Sequence, residues 1–365
     1  MSGSGSPAEY SYFTCNLRTG ALAEELPSLR PVQPLGQRLS QVVATAFELD
    51  LAGAPAEWLS STDPGRTLIV AVDRLTGLPV WSGPTLVRAG GSSTTLKLSA
   101  ATPEAYLDRR YAGSYTATGV DMSTVMANVA QLITTNGPPF VFDTVAFGST
   151  VDLTIQDGDD KTVLSILQTV AGMTPAPEFT VDTVWTDSTQ SAVQLVLRIH
   201  PTIGVQSASP EAVFDLPGCV SDYELSESYE SGKGATVILA KGEGEGTTRS
   251  ISGPQSATAL MAGGWPQWDY RFTPSTNVTS VAQLNAHAIR ALALMQTGMK
   301  AWTINGAATV APRLGRDWAL GDSIALAVAP GASPRHPQGV NLVARAYGWE
   351  LDPAAGRVSP ILLET

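Results

Sequence analysis

The chain is 365 residues long, 43% of them hydrophobic and only 15% charged, and its formal net charge is −11. A chain of this length exceeds the span of one hydrophobic core, so we expect at least two packed units. The low charged fraction, together with 34 glycines and 25 prolines, predicts a β-rich protein with many turns. The negative charge and the lack of a basic run argue against sequence-specific nucleic-acid binding, because phosphate binding needs clustered Lys and Arg.

The two cysteines, Cys15 and Cys219, form neither a metal-binding spacing nor a disulfide framework, so we expect assembly in a reducing compartment. Residues 1–9 lack the basic and then apolar pattern of a secretion signal and are predicted to be a flexible N-terminus. Apolar runs such as residues 323–328 are too short to cross a bilayer, so no membrane insertion is expected.

Residues 10–110 are predicted to form a first barrel-like β domain. Its five expected strands pair antiparallel in sequence order and lie at residues 10–17, 41–51, 67–73, 78–87 and 94–98. Thr76-Gly77 is typical of a short hairpin link, and Gly90-Gly91 predicts another turn. A short helix, capped by Thr102 and with Pro103 in its first position, is expected to end the domain.

Residues 111–213 are predicted to form an α+β domain. An apolar stripe from Met122 to Ile133, which includes Leu132, predicts a helix that is capped by Asp121. A second helix is expected at residues 161–171, with acidic residues 157, 159 and 160 capping its start, and strands are expected at residues 179–185 and 193–199.

Residues 214–261 and 299–365 are predicted to form a second barrel-like β domain, interrupted by a helix-containing insertion at residues 262–298. Its expected strands lie at residues 218–229, 235–241, 247–251, 300–304, 322–328, 340–351 and 358–363. In the insertion, Ser280 and Gln283 match a capping box, Val281 to Met295 carry the apolar face of a helix, and Gly298 is expected to stop it.

Catalytic patterns are weak. The three histidines, His200, His287 and His336, accompany no nucleophile motif, and residues 231–234 lack the pattern of a phosphate-binding loop. The acids at 157–160 lack the spacing of a calcium loop, and Glu227 and Glu230 are only weak candidates for glycoside cleavage. The sequence therefore predicts no enzyme, no cofactor and no metal site.

Trp265, Trp268 and Tyr270 bring three large rings together within six residues. Three interpretations remain open: an anchor for a protein neighbour, a loop packed on its own core, and a platform that stacks on sugar rings. Glu243 and Glu245, which alternate with glycines, predict an exposed acidic loop and are further interface candidates.

Three segments carry a family resemblance. Residues 68–84 resemble the early hairpin of the tail hub, or baseplate hub, family of phage tails, including the Gp37-like and Tal-like minor tail proteins of actinobacterial siphophages. Residues 105–110 resemble the end of the first domain in that family, and residues 320–326 resemble a late strand entry. The order of a β unit, an α+β unit and a β unit with a helical insertion is also similar over nearly the whole chain.

The resemblance implies a structural protein of the virion tail tip, assembled in the host cytoplasm as a homotrimeric ring around the channel for DNA ejection. Two barrel-like domains per chain would present six similar domains to a hexameric tube. The implied partners are the distal tail or tail tube protein, the tape measure protein and a spike or fibre protein. Because the chain ends at Thr365, soon after the last predicted strand, no fused receptor-binding or wall-degrading domain is expected.

Two alternatives stay open. The Trp265 to Tyr270 cluster favours a carbohydrate-binding β-protein of a virion or cell surface. A glycosidase or peptidase would depend on Glu227 or Glu230.

Overall fold

A computed structural model of the chain describes residues 9–132, 134–173, 175–242, 249–274 and 280–363. Largely antiparallel sheets dominate and the helices are short, so the predicted β-rich α+β class is confirmed. Tertiary contacts divide the chain into two compact units. Unit 1 contains residues 1–171, 177–222 and 304–361, and unit 2 contains residues 172–176, 223–303 and 362–365. The finer scheme of residues 10–110, 111–213, 214–261 with 299–365, and 262–298 remains a prediction.

The N-terminal part of unit 1 forms a seven-stranded sheet with the order β2-β1-β6-β7-β8-β5-β3. The elements of this region are β1 (Tyr10–Asn16), β2 (Leu22–Glu25), β3 (Leu29–Pro31), β4 (Leu35–Arg38), β5 (Ala44–Asp50), a 3-10 turn (Leu51–Gly53), α1 (Trp58–Ser61), β6 (Thr67–Asp73), β7 (Pro79–Ala89), β8 (Thr95–Ala101) and α2 (Glu104–Leu107).

The prediction of five strands paired in sequence order is wrong, because β1 lies between β2 and β6, and β5 lies between β8 and β3. All seven residues of β6 are buried, and β1 is nearly as buried, which places both strands inside the sheet. The short strands β2 and β3 take the edges.

The predicted hairpin between β6 and β7 is confirmed. Gly77 adopts φ +69°, a left-handed conformation that glycine adopts without strain, and its N–H donates to Asp73 O. β7 then changes partner, pairing with β6 through residues 79–84 and with β8 through residues 85–89. The helix predicted after Thr102 is the single turn α2, with Pro103 at its N-cap.

The next part of unit 1 contains two helices and two small sheets. Its elements are β9 (Tyr115–Asp121), α3 (Met122–Gln131), β10 (Phe140–Thr144), β11 (Thr150–Ile155), a 3-10 turn (Asp157–Asp159), α4 (Val163–Ala171), β12 (Glu178–Trp185) and β13 (Val193–His200). The predicted α3, α4, β12 and β13 are confirmed. The sequence reading missed β9, its antiparallel partner β11, and β10, which pairs parallel to β13.

Two details of these helices differ from expectation. Asp121 does cap α3, but Leu132, expected in the buried stripe, is the exposed C-cap residue; Ile133 lies outside the described residues. The acids at 157–160 do not cap α4. Residues 157–159 form a separate 3-10 turn, and the hydroxyl of Thr162 accepts the Ser165 N–H at the start of α4 instead.

The remaining elements are β14 (Val213–Leu216), β15 (Val220–Ser228), β16 (Val237–Ala240), β17 (Gln255–Ser256), α5 (Thr258–Ala262), β18 (Asp269–Phe272), α6 (Val281–Met295), β19 (Met299–Ala307), β20 (Ser323–Val328), β21 (Val340–Asp352) and β22 (Arg357–Leu363). A second seven-stranded sheet has the order β14-β20-β21-β22-β19-β15, with β4 also pairing to β21. Residues 247 and 248 of the predicted strand 247–251 lie outside the described residues.

Within unit 2, α6 lies against the small sheet β17-β16-β18. Leu284 and Ala288 of the helix are buried against Ala235, Ile238 and Ala240. The predicted start and end of α6 are confirmed. The predicted capping box is wrong, because the Ser280 side chain makes no capping hydrogen bond. Val281, which was expected on the apolar face of the helix, is exposed. No helix among the described residues is long and apolar enough to span a membrane.

Candidate functional site

Two tryptophans of unit 2 lie on the protein surface. Trp265 is 39% exposed and Trp268 is 51% exposed, and both rings pack on Tyr229, with centroid distances of 5.2 and 5.9 Å. These three residues are called the aromatic patch below. Because its rings pack on one another and still face solvent, the patch offers apolar contact area without being part of a closed core.

The backbone under the aromatic patch is held by hydrogen bonds. The Trp268 N–H donates to Thr236 Oγ1 at 2.8 Å, and the carbonyl of Trp268 accepts the N–H groups of Thr236 and Val237. The hydroxyl of Thr236 donates to Pro266 O, and the Trp265 N–H donates to Leu260 O. The backbone that carries the two indole rings is therefore held in place, which lowers the backbone entropy lost on binding.

Tyr270 does not join the patch. Its ring stacks on Phe272 at 5.8 Å, and both rings pack against the small core of unit 2. The third ring of the patch is Tyr229, which the sequence reading missed. A Cβ on Gly234 would lie 2.4 Å from Tyr229 Cδ2, so the glycine makes room for that ring, a relationship that only the folded structure shows.

Two charged residues follow Tyr229 of the aromatic patch in the chain, Glu230 and Lys233. The Lys233 ammonium donates to Glu230 at 2.6 Å, and this hydrogen bond lowers the pKa of Glu230 below its usual value. Glu230 is therefore ionised at neutral pH and unsuited to act as a general acid. Glu227 is an exposed position of β15. The interface candidates Glu243 and Glu245 lie outside the described residues.

The three histidines lie on separate elements of the chain. His200 Nε2 lies 3.1 Å from Asp143, His287 is on α6, and His336 is in the loop before β21. Burial raises the pKa of Cys15 to about 12 and that of Cys219 to about 11, so neither thiol is activated. The described part of the chain contains no group of three or more His, Cys, Asp or Glu residues that could hold a metal.

Unit 1 contains a cavity of about 380 Å³. Its walls include Trp81 and Ser82 of β7, Thr183 and Trp185 of β12, and Trp349 of β21. The Trp81 indole N–H donates to Gly36 O and the Trp185 indole N–H donates to Gly77 O, so both rings are fixed by the backbone. The result is a largely apolar, aromatic cavity of the size that small ligands occupy.

Two charged residues are among the described residues that line this cavity, the acid Asp182 and the base Arg198. Arg198 Nε lies 3.1 Å from an oxygen of Asp182 and 3.8 Å from one of Asp143. Burial raises the pKa of Asp182, and the Arg198 guanidinium opposes that rise. Nearby, the fully buried Glu104 accepts the Val181 N–H at 2.8 Å through Oε1.

No protein-family model matches the chain, and no characterised protein matches it in sequence. Its fold is nevertheless similar to solved structures. The 43 kDa tail protein of prophage MuSo2 from Shewanella oneidensis aligns with a TM-score of 0.59 and 13% identity, over 97% of both chains. The tail protein from Neisseria meningitidis MC58 aligns with a TM-score of 0.58 and 15% identity, over 97% of this chain and 96% of that one.

A third similar structure is the prophage tail protein gp18 from Listeria monocytogenes EGD-e. It aligns with a TM-score of 0.53 and 10% identity, over 97% of this chain and 94% of that one. At sequence identities this low, the similarity is one of fold, and no site residue is carried over to this chain. Over nearly its whole length, the chain therefore has the fold of these tail proteins, two of which come from prophages.

Proposed function

We propose that this chain is a structural tail hub, or minor tail, protein of a phage tail tip. Three copies form a ring that joins the tail tube or distal tail protein to the spike or fibres and surrounds the DNA channel. The ring assembles in the host cytoplasm and remains in the virion, and the tape measure protein lies within its channel.

The observation that carries the proposal is the match of almost the entire chain to almost the entire length of three tail proteins. Fold alone does not define function, but all three of these structures are tail proteins, which makes a tail role the economical assignment. The chain contains two seven-stranded sheets. In the proposal each sheet belongs to one barrel-like domain, so that a trimer would present six such domains.

The aromatic patch is the surface we assign to a neighbouring tail protein. Trp and Tyr are enriched among the residues that dominate binding energy at protein interfaces, because they bury much area for little lost side-chain entropy. Trp265 and Trp268 meet this description, since their rings are exposed and their backbone is fixed. Glu243 and Glu245 are kept as candidate interface residues on charge alone.

The test is to measure the mass of the purified chain by mass photometry, alone and mixed with tail tube and distal tail proteins from the same phage. Three chains of 38.2 kDa correspond to a ring of about 115 kDa. Cross-linking mass spectrometry then maps the contacts. The proposal expects a trimer, alone or only on the tube partner, because an assembly interface can require a templating neighbour.

Matched variants connect the patch to assembly. Trp265→Ser with Trp268→Ser should reduce partner binding at least tenfold, about 1.4 kcal/mol, while the circular dichroism spectrum is retained. Leu59→Ser is the control, because this leucine is 56% exposed but lies in unit 1. A chain that stays monomeric with every tail protein tested contradicts the hub proposal.

The exposure of Trp265 and Trp268 also favours one second candidate, a carbohydrate-binding β-protein. A glycan array that uses the full chain separates the two functions. Binding of a defined glycan class that disappears in the double tryptophan variant, without any binding to tail proteins, supports the carbohydrate function. Assembly with tail proteins and an empty array supports the hub.

A further inference from the structure

The main polar side chains in the cavity of unit 1 already form hydrogen bonds within the protein. The indole N–H groups of Trp81 and Trp185 donate to backbone carbonyls. The hydroxyls of Ser82 and Thr183 are hydrogen-bonded to each other at 2.5 Å. These side chains therefore have few donors or acceptors left to offer a ligand.

The two charged residues that line the cavity are paired with each other. Arg198 Nε lies 3.1 Å from an oxygen of Asp182, so one guanidinium is balanced by one carboxylate. The amide nitrogen of Gln37, which also lines the cavity, donates to Thr180 Oγ1 and to Val181 O. An ionic ligand would lose its hydration without meeting an unpaired opposite charge, so the cavity disfavours cations and anions alike.

The rest of the lining is mainly apolar. Leu78 and Val80 come from the β6–β7 hairpin, Val184 and Trp185 come from β12, and Leu320 comes from the loop after β19. The volume of about 380 Å³ lies in the range of small-ligand sites. Because Leu78 is 42% exposed, a ligand can reach the cavity from solvent.

We propose that this cavity binds an uncharged aromatic ring about the size of a phenylalanine side chain. Burial of such a ring removes apolar surface of both the ligand and the cavity wall from water. Trp81, Trp185 and Trp349 all line the cavity, and aromatic rings attract one another beyond the gain from buried area. The indole rings therefore favour an aromatic ligand over an aliphatic ligand of similar shape, and the paired charges favour a neutral one.

The first experiment needs no variant. Four ligands of similar shape are titrated with the full chain at pH 7 and followed by ligand-observed NMR: neutral benzamide, the cation benzamidine, the anion benzoate and the aliphatic cyclohexanecarboxamide. We expect benzamide to bind at least about tenfold more tightly than either ion, and more tightly than cyclohexanecarboxamide. Equal or tighter binding of any of the other three ligands, or no saturable binding of benzamide, overturns the proposal.

A fifth ligand, the capped tripeptide acetyl-Ala-Phe-Ala-amide, identifies the source of the ring. Tighter binding of the tripeptide than of benzamide indicates a phenylalanine side chain of a partner protein, whereas tighter binding of benzamide indicates a free small molecule. Both results support the aromatic-ring site, and neither depends on the hub function, which is tested by assembly.

Variants distinguish binding in the cavity from binding on the aromatic patch. Ala319 lines the cavity and is exposed, so Ala319→Phe should fill the cavity and weaken benzamide binding at least about tenfold. Trp265→Ser with Trp268→Ser is the control and should leave the affinity unchanged, because both residues lie in unit 2. Unchanged affinity in Ala319→Phe, or loss of binding in the double tryptophan variant, overturns the proposal when the wild-type circular dichroism spectrum is retained. If Ala319→Phe unfolds, Leu78→Asp takes its place with the same expected loss, since it puts an unpaired charge at the exposed side of the cavity.

Discussion

The guanidinium of Arg313 and the carboxylate of Asp73 form a buried bidentate ion pair between residues 240 positions apart in the chain. Arg313 Nε donates to Asp73 Oδ2 at 3.1 Å and Nη2 donates to Oδ1 at 2.9 Å, and the side chains are only 5% and 2% exposed. Arg313 Nη1 also donates to Thr309 O, and Asp73 Oδ1 accepts the Leu75 N–H. Within unit 1, this pair joins the loop after β19 to the β6–β7 hairpin.

Removing one charge of this pair should be costly. Asp73→Asn keeps an acceptor for the Leu75 N–H but leaves Arg313 buried without a counter-charge, so we expect the free energy of unfolding to fall by about 3–5 kcal/mol. The measurement is urea denaturation followed by circular dichroism. The double variant Asp73→Asn with Arg313→Met should recover much of the loss, because no unpaired charge then remains buried.

A surface pair provides the control for that experiment. Arg38 and Glu350 also meet at 3.1 Å, but each side chain is 45% exposed. Removing this charge with Glu350→Gln should change the free energy of unfolding by no more than about 1 kcal/mol, since water screens exposed pairs. Equal losses at the two pairs would show that burial does not set the strength of the Asp73–Arg313 pair.

Glu104 should make the protein less stable as pH rises. Burial raises its pKa to about 7, above the unfolded value of 4.5, so between these values the folded state binds the proton more tightly. The stability from the protonated form is fully present below about pH 4.5 and is lost as pH rises towards 7, with a slope of at most about 1.4 kcal/mol per pH unit. Glu104→Gln should remove this slope, measured by urea denaturation between pH 5 and 8. If Glu104→Gln keeps the pH slope of the wild type, titratable groups other than Glu104 cause that slope.

Asp121 should stabilise unit 1 most at neutral pH. Burial alone would raise the pKa of Asp121, but four backbone N–H donors, from Gly148, Phe147, Thr124 and Ser123, outweigh it and lower the pKa. Asp121→Ala should therefore cost about 1–2 kcal/mol at pH 7, and the difference should shrink as pH falls through the lowered pKa of the native carboxylate. The measurement is thermal unfolding at several pH values. Asp121→Asn keeps one acceptor oxygen and should lose less, whereas equal losses in both variants would argue against the capping role.

Gly234 should be required for the position of Tyr229 in the aromatic patch. A Cβ at residue 234 would lie 2.4 Å from the Tyr229 ring, so Gly234→Ala must displace that ring, at a cost of about 1–3 kcal/mol. We expect altered tryptophan fluorescence, since both tryptophans of the patch pack on Tyr229. Gly91→Ala is the control, because nothing lies within 4 Å of its Cβ position. Similar spectra for the two variants would contradict this account of the patch.

The sequence correctly predicted elements that depend on contacts between residues close together in the chain. The stripe that starts at Met122 predicted α3, and the Asp121 carboxylate bonds the Ser123 and Thr124 N–H groups as a helix cap should. The β6–β7 hairpin followed from Gly77, which adopts the positive φ that its turn needs. Such features involve residues only a few positions apart, so periodicity and turn chemistry were sufficient.

Features that depend on distant contacts were missed. The pairing of β1 with β6 joins residues about 57 positions apart, and the parallel pairing of β10 with β13 leaves no mark in the local sequence of either strand. Tyr229 replaces Tyr270 in the aromatic patch because β18 directs Tyr270 onto Phe272 and the core of unit 2. The acids at 157–160 were predicted to cap α4, but the hydroxyl of Thr162 accepts the Ser165 N–H at the start of that helix instead.

The sequence by itself determined the β-rich class, the positions of α3, α4 and α6, and the presence of an aromatic cluster, because these follow from the order of apolar and turn-forming residues. Only the tertiary structure decided the strand order, the ring that completes the aromatic patch, the Asp73–Arg313 pair and the aromatic cavity of unit 1. Each of these brings together residues far apart in the chain, and which distant groups meet is set by the packing of the whole unit.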